Sequence, residues 1–163
     1  MSLNILFADT SAWEEWRAPL ADALSQRRLD CKVHCDRTDP DNVDVIVHAP
    51  SSGLMDFSPY RRLKAILSTW AGVERIATNP TIKVPLTRMV DPGLTAGMVE
   101  YCIGHVMRYH LNLDAHIKRK NSDWQPELLP PLAQNRRVGV LGLGALGQAV
   151  AKAASSLNSS RSC

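Results

Sequence analysis

The sequence predicts an α/β protein whose first part is a parallel sheet. Three features indicate this fold class. Short apolar segments alternate with helical segments over residues 1–89, as in successive βαβ units. A long helical pattern follows the turn-forming residues Asp91, Pro92 and Gly93. A glycine-rich motif then separates an apolar segment from an alanine-rich one, which is the pattern of a further strand, turn and helix.

The first part contains five predicted strands, at residues 4–8, 31–35, 43–47, 64–68 and 84–89. Pro85 has no N–H group to donate, so we expect the fifth strand at an edge of the sheet. Apolar residues at helical spacing predict a helix after the first strand, with Ser11 and Glu14 as its capping box. A short helix is expected around residues 59–63.

The second part begins with a helix predicted from Thr95, its expected N-cap, to Ile117. The histidines on this helix do not have the i, i+4 spacing of a metal site, and we interpret them as ordinary helix residues. Residues 121–135, which include Trp124, predict an irregular arm. The strand that follows is predicted just before Gly142.

The spacing Gly142-x-Gly144-x-x-Gly147 is typical of a dinucleotide-binding turn. Gly142 allows a sharp turn, Gly144 allows backbone to approach a pyrophosphate, and Gly147 allows close packing of helix on strand. The free N–H groups of the helix then face the phosphates. A purely structural glycine-rich turn is the alternative. Only 16 residues follow Gly147, fewer than a complete βαβ unit requires, so we expect an incomplete nucleotide-binding domain.

A second candidate anion site is the turn at residues 69–73, which leads from the fourth strand into a helix start and can present backbone N–H groups. His48 lies at the carboxyl end of the third strand, where the crevices of parallel sheets open. Both a structural and a functional role remain open for this histidine.

Composition excludes several function classes. The net charge of +3 includes no dense basic patch, so no nucleic-acid partner is expected. No apolar run has the length of a membrane span, and no signal peptide is recognised. Cys31 and Cys35 alternate with Lys32 and His34, which predicts buried, reduced thiols on a strand rather than a metal site. A cytoplasmic location follows from these observations.

Several motifs occur in an order that resembles one enzyme family, the D-isomer-specific 2-hydroxyacid dehydrogenases, and within it the glyoxylate/hydroxypyruvate reductase A type. The motifs lie at residues 45–50, 67–74, 88–93, 98–101, 121–126 and 140–147. The resemblance covers residues 5–157. It implies a flavodoxin-like parallel-sheet substrate domain at residues 1–93, a connecting helix and dimerisation arm at 94–135, and the first β-α of a truncated Rossmann NAD(P)-binding domain at 136–163.

The resemblance also implies a function, the reduction of a small 2-keto acid such as glyoxylate or hydroxypyruvate by NADH or NADPH in a homodimer. It implies that the substrate carboxylate is bound by backbone N–H groups of Trp70, Ala71 and Gly72. It implies that the cofactor pyrophosphate lies on the turn formed by Gly142, Leu143, Gly144, Ala145, Leu146 and Gly147. The family's catalytic Arg, Glu and His would lie beyond residue 163, so no catalytic residue is expected in this chain.

Two other interpretations remain. The chain could be a non-catalytic remnant or dimerising module, because an uncovered helix at residues 98–117 would favour self-association. It could also be a receiver or binding domain with a flavodoxin-like sheet. The second glycine-rich turn argues against that last interpretation, because such a domain does not require it.

Overall fold

The computed structural model describes residues 2–36, 38–118 and 129–157, and the chain forms two compact units, Met1–Met89 and Val90–Cys163. The first unit is a five-stranded parallel sheet in the order β2-β1-β3-β4-β5. The strands are β1 (Leu3–Phe7), β2 (Cys31–His34), β3 (Val45–His48), β4 (Ala65–Ser68) and β5 (Leu86–Thr87). The predicted parallel sheet and the edge position of the fifth strand are confirmed.

The core of the first unit lies on both faces of this sheet. One face carries a cluster around the fully buried side chains of Val43, Ile46 and Ile66. On the other face Ile5, Phe7 and Val47 pack against helix α1 (Trp13–Gln26). Burial on both faces explains why the central strands read as continuous apolar runs.

The sheet is also fixed at its amino-terminal edge by one buried carboxylate. Asp44 accepts the N–H of Asn4 at 3.0 Å and pairs with the Lys64 ammonium at 3.0 Å. The Asn4 hydrogen bond and the Lys64 contact hold the pKa of Asp44 below its usual value. These contacts link residues at the starts of β1, β3 and β4.

Two local predictions for the first unit are wrong. Ser11 and Glu14 form no capping box, and α1 begins at Trp13 without a side-chain cap. The Ser11 hydroxyl donates to the carboxylate of Asp9 instead, because that nearby buried anion is a stronger acceptor. The expected helix at residues 59–63 is a pair of turns rather than a helix. A short helix, α2 (Glu74–Ala77), follows β4.

The second unit consists of helices. Helix α3 (Pro92–His110) is capped by Asp91, whose carboxylate accepts the N–H of Leu94 at 2.8 Å, so the expected N-cap at Thr95 is wrong. Asn112 has a left-handed φ of 53°, which ends the helical path and separates α3 from α4 (Leu113–Ile117). Helix α5 (Ala145–Ser156) packs against α3.

The segment before Gly142 differs from the prediction in its hydrogen bonding. Residues 137–141 are not assigned as a strand, because the described part of the second unit offers no neighbouring strand with which they could pair. The side chains of Val138 and Leu141 are exposed. The turn and helix that follow are present as predicted.

Candidate functional site

The strand order of the first unit places a crevice at the carboxyl ends of its strands. The order reverses at β1, so that β2 lies on one side and β3 and β4 on the other. In open parallel sheets, ligands bind outside the carboxyl ends near such a switch point. Three polar side chains are buried at this edge, on or just after β1, β3 and β4: Asp9, His48 and Ser68.

His48, at the end of β3, is 3 % exposed and contacts the Phe57 ring. Its Nε2 lies 3.1 Å from the Leu54 carbonyl oxygen. A carbonyl can only accept, so Nε2 carries the proton, and Nδ1 has no hydrogen-bond partner among the described residues. Burial lowers the pKa of His48 below its ordinary value. This histidine is therefore neutral near pH 7 and anchors the loop after β3.

Asp9 performs a similar anchoring role just after the end of β1, a role that we did not predict from the sequence. Its carboxylate accepts the hydroxyl groups of Ser11 and Ser51, and those two bonds hold its pKa below the usual value. The available signal was an acidic residue two positions after a buried apolar strand. Asp9 thus connects the loops that follow β1 and β3.

The turn after β4 is held tightly at its start. The Thr69 N–H donates to the His48 carbonyl oxygen at 2.9 Å, and the Trp70 N–H donates to Ser68 Oγ at 3.2 Å. The Trp70 carbonyl in turn accepts the N–H of Met89 at 3.1 Å. Of the three predicted carboxylate-binding N–H groups, that of Trp70 is therefore used within the protein.

The remaining two donors, the N–H groups of Ala71 and Gly72, have no hydrogen-bond partner within the described ranges. Ala71 is half-buried and Gly72 is exposed, and the side chain of Trp70, the residue before them, is also exposed. The carboxylate of Glu74 lies beside them, since a Cβ placed on Gly72 would be 3.0 Å from its Oε2. A bound anion would require this exposed, flexible side chain to turn away.

The three glycines of the glycine-rich turn in the second unit differ in backbone conformation and in the space around them. Gly142 has a φ of 87°, which side chains rarely tolerate. A Cβ on Gly147 would overlap the carbonyl oxygen of Gly142. At Gly144 an added Cβ would meet nothing within 4 Å. The first glycine thus permits the turn, the third permits close packing, and the second leaves space above the backbone.

This turn leads directly into a helix long enough to have a defined dipole. Gly144 is the N-cap of α5, and its carbonyl accepts the N–H of Gln148 at 3.0 Å. The first N–H groups of any α-helix have no partner within the helix, and its N-terminus carries partial positive charge. The open space at Gly144 and these donors fit a phosphate group.

No metal site accompanies these loops: within the described ranges no three His, Cys, Asp or Glu side chains are placed to hold a metal ion. Cys31, Cys35 and Cys102 are free thiols. Cys31 and Cys35 are half-buried rather than buried as expected, and for Cys31 the reason is that β2 lies at the edge of the sheet. None of the helices in the described part of the chain is long and apolar enough to cross a membrane.

Comparisons with known proteins agree with this arrangement. The sequence matches no protein-family model. It is 31% identical over 148 residues to glyoxylate/hydroxypyruvate reductase A of Serratia proteamaculans, a match that covers 85% of this chain and 45% of the relative. The chain therefore spans about half the length of the curated relatives it matches.

Solved structures give the same result. An NADPH-dependent glyoxylate/hydroxypyruvate reductase from Sinorhizobium meliloti, in complex with NADP and sulfate, superimposes with a TM-score of 0.72 at 29% identity, over 96% of this chain and 50% of that one. A D-isomer specific 2-hydroxyacid dehydrogenase from Xanthobacter autotrophicus shares the fold with a TM-score of 0.72 at 24% identity, over 96% of this chain and 51% of that one. By sequence and fold, this chain is similar to the D-isomer-specific 2-hydroxyacid dehydrogenases.

Proposed function

We propose that this chain is part of an enzyme that reduces a small 2-keto acid, such as glyoxylate or hydroxypyruvate, to the 2-hydroxy acid with NADPH or NADH. The observation that carries the proposal is the presence of two turns with free backbone donors, one in each unit. The family fits both turns, because its substrate carries a carboxylate and its cofactor carries a pyrophosphate. The names of the Serratia and Sinorhizobium relatives support this substrate class.

In this proposal the turn formed by Gly142, Leu143, Gly144, Ala145, Leu146 and Gly147 binds the cofactor pyrophosphate. The open backbone at Gly144 allows close approach, and the N-terminus of α5 supplies donors and positive potential. When bound, the nicotinamide cofactor supplies the hydride. The chain's own contribution is to bind and orient the cofactor's phosphates.

The turn at Trp70, Ala71 and Gly72 binds the substrate carboxylate through the two free N–H groups. The hydrogen bonds of Thr69 and Trp70 to His48 and Ser68 keep these donors in place before substrate arrives. The exposed ring of Trp70 lies next to them and can exclude water from one side. Trp70 thus contributes its side chain while its own N–H maintains the turn.

We assign no catalytic residue in this chain. Reduction of a ketone needs a proton donor, and His48, the histidine at this edge, is buried, neutral and bonded to the Leu54 carbonyl. The chain by itself should therefore be inactive. We further propose a cytoplasmic location and a homodimer formed through the arm at residues 121–135. Trp124 lies outside the described residues.

The test is an absorbance assay of NADPH and NADH oxidation with glyoxylate and with hydroxypyruvate. We expect no turnover by the chain as it stands. We expect turnover when it is fused to the remaining half of the Serratia reductase. The Gly72→Val change in that fusion should raise KM for glyoxylate more than KM for NADPH. A folded but inactive fusion would reject the proposed reaction. Equal increases in the KM for glyoxylate and the KM for NADPH would reject the proposed role of Gly72.

A second candidate function is a non-catalytic dimerising module. The observation in its favour is that no described residue of the second unit is buried, although several large apolar side chains lie there. Sedimentation equilibrium of the chain distinguishes the two candidates when combined with the assay above. A stable dimer together with an inactive fusion would favour the module.

A further inference from the structure

The glycine-rich turn is bound to α5 through three successive carbonyl groups. The Leu143 carbonyl oxygen accepts from the Gln148 side-chain amide at 2.7 Å. The Gly144 carbonyl oxygen accepts from the Gln148 backbone N–H at 3.0 Å. The Gly142 carbonyl oxygen packs against Gly147, at the place where a Cβ would stand. All three oxygens therefore contact the first turn of the helix.

This arrangement decides which way the N–H groups of the turn point. The carbonyl and the N–H of one peptide unit point in opposite directions. When the carbonyl of Leu143 faces α5, the N–H of Gly144 faces the other way. The same holds for the N–H of Leu143 and of Ala145. An anion above the turn then meets donors and no carbonyl oxygen.

The Leu143 peptide is the one that needs a side chain to hold it. It lies between two glycines, whose backbone has more conformational freedom than that of other residues. The Gly142 carbonyl is fixed by packing and the Gly144 carbonyl by the helix itself. The Leu143 carbonyl is fixed by the side chain of Gln148. The G-x-G-x-x-G spacing by itself does not predict this hydrogen bond or the residue that makes it.

We propose that Gln148 is a positioning residue for a pyrophosphate bound on this turn, acting by directing the N–H of Gly144 toward the phosphate oxygens. This inference rests on the cofactor site proposed above and assigns it a residue that does not itself touch the ligand. Because one neutral hydrogen bond is involved, its loss should weaken binding by about three- to tenfold.

The experiment follows amide NMR signals of the labelled 163-residue chain during titration with inorganic pyrophosphate. In the unaltered chain we expect shifts at Gly144 and Ala145. Gln148→Met keeps the length of the side chain and removes the donor, so we expect a dissociation constant about three- to tenfold higher and a smaller shift at Gly144. Gln134→Met, the same change in the turn Ala133–Asn135, is the matched control. It should leave the dissociation constant and the Gly144 shift unchanged.

The outcomes separate this inference from the proposal on which it rests. If the amide signals of the turn in the unaltered chain do not shift when pyrophosphate is added, both the cofactor site and the role of Gln148 are rejected. Binding that is equally tight in Gln148→Met, with the same Gly144 shift, would leave the cofactor site in place and reject the role of Gln148. Loss of the α5 helical signals in Gln148→Met would also reject it, because the residue would then be structural.

Discussion

The two units use similar local sequence patterns but bury their apolar residues to very different extents. All ten buried apolar residues of the described structure lie in the first unit, and Val43, Ile46 and Ile66 are fully buried there. In the described part of the second unit, Tyr109, Val138 and Leu141 are exposed. An apolar segment becomes a core strand only where neighbouring strands pair with it and helices cover it.

This difference also separates the two candidate anion sites. The turn at residues 69–73 is supported by a complete sheet, through the bonds from Thr69 and Trp70 to β3 and β4. The glycine-rich turn is supported by its own helix, through Gln148 and the packing of Gly147. A local motif can therefore form its geometry without the sheet that normally surrounds it, because its contacts are local.

The largest effect should come from matched truncations in the two units. Ile66→Ala removes a fully buried side chain in the central sheet and should lower the free energy of unfolding by about 2–5 kcal/mol. Leu141→Ala removes a fully exposed side chain before the glycine turn and should change it by less than about 0.5 kcal/mol. Urea unfolding followed by circular dichroism measures both. Similar losses from the two changes would show that residues 137–141 are part of a core.

A smaller effect should appear in the pH dependence of the first unit. The folded-state pKa of His48 is lowered from about 6.5 because the ring is buried. The folded state then binds fewer protons than the unfolded one. The stability contributed by neutral His48 is complete above pH 6.5 and is lost as the pH falls below it. His48→Gln should reduce the loss of stability between pH 7 and pH 5, while His116→Gln, exposed on α4, is the control.

The buried carboxylates Asp9 and Asp44 affect stability at lower pH than His48 does, so the two pH ranges can be separated. The pKa values of Asp9 and Asp44 lie below 3.8, so the stability they contribute is present above that value and disappears as the pH falls through their folded-state pKa. Urea unfolding at a series of pH values resolves the two ranges. An unchanged profile in His48→Gln would contradict the assignment of the neutral ring.

The sequence predicts the sheet and the glycine turn well, because both depend on patterns within short segments. Largely apolar runs identify the three central strands β1, β3 and β4, alternation identifies β2, and Pro85 identifies the edge. The G-x-G-x-x-G spacing identifies the turn, whose Gly142 and Gly147 have the expected geometry. These features need no knowledge of which distant residues come together.

The missed features all depend on contacts between segments or on competition among local bonds. Ser11 forms no capping box because the buried Asp9 carboxylate accepts its hydroxyl. Asp91 rather than Thr95 caps α3, because its carboxylate reaches the N–H of Leu94. The contact of His48 with Leu54, the use of the Trp70 N–H by Ser68, and the bond from Gln148 to Leu143 require a folded structure to be seen.

The measurement that tests this account most directly is amide hydrogen exchange of the whole chain, read residue by residue by NMR. Buried, paired strands open only with the global unfolding of their unit, whereas a helix without buried residues opens locally. We expect the amides of Leu6, Ile46 and Ile66 to exchange more slowly than those of Ala149 and Val150 in α5, by on the order of a hundredfold or more. Equal protection of α5 and the central strands would contradict the account, because the second unit would then have a core of its own.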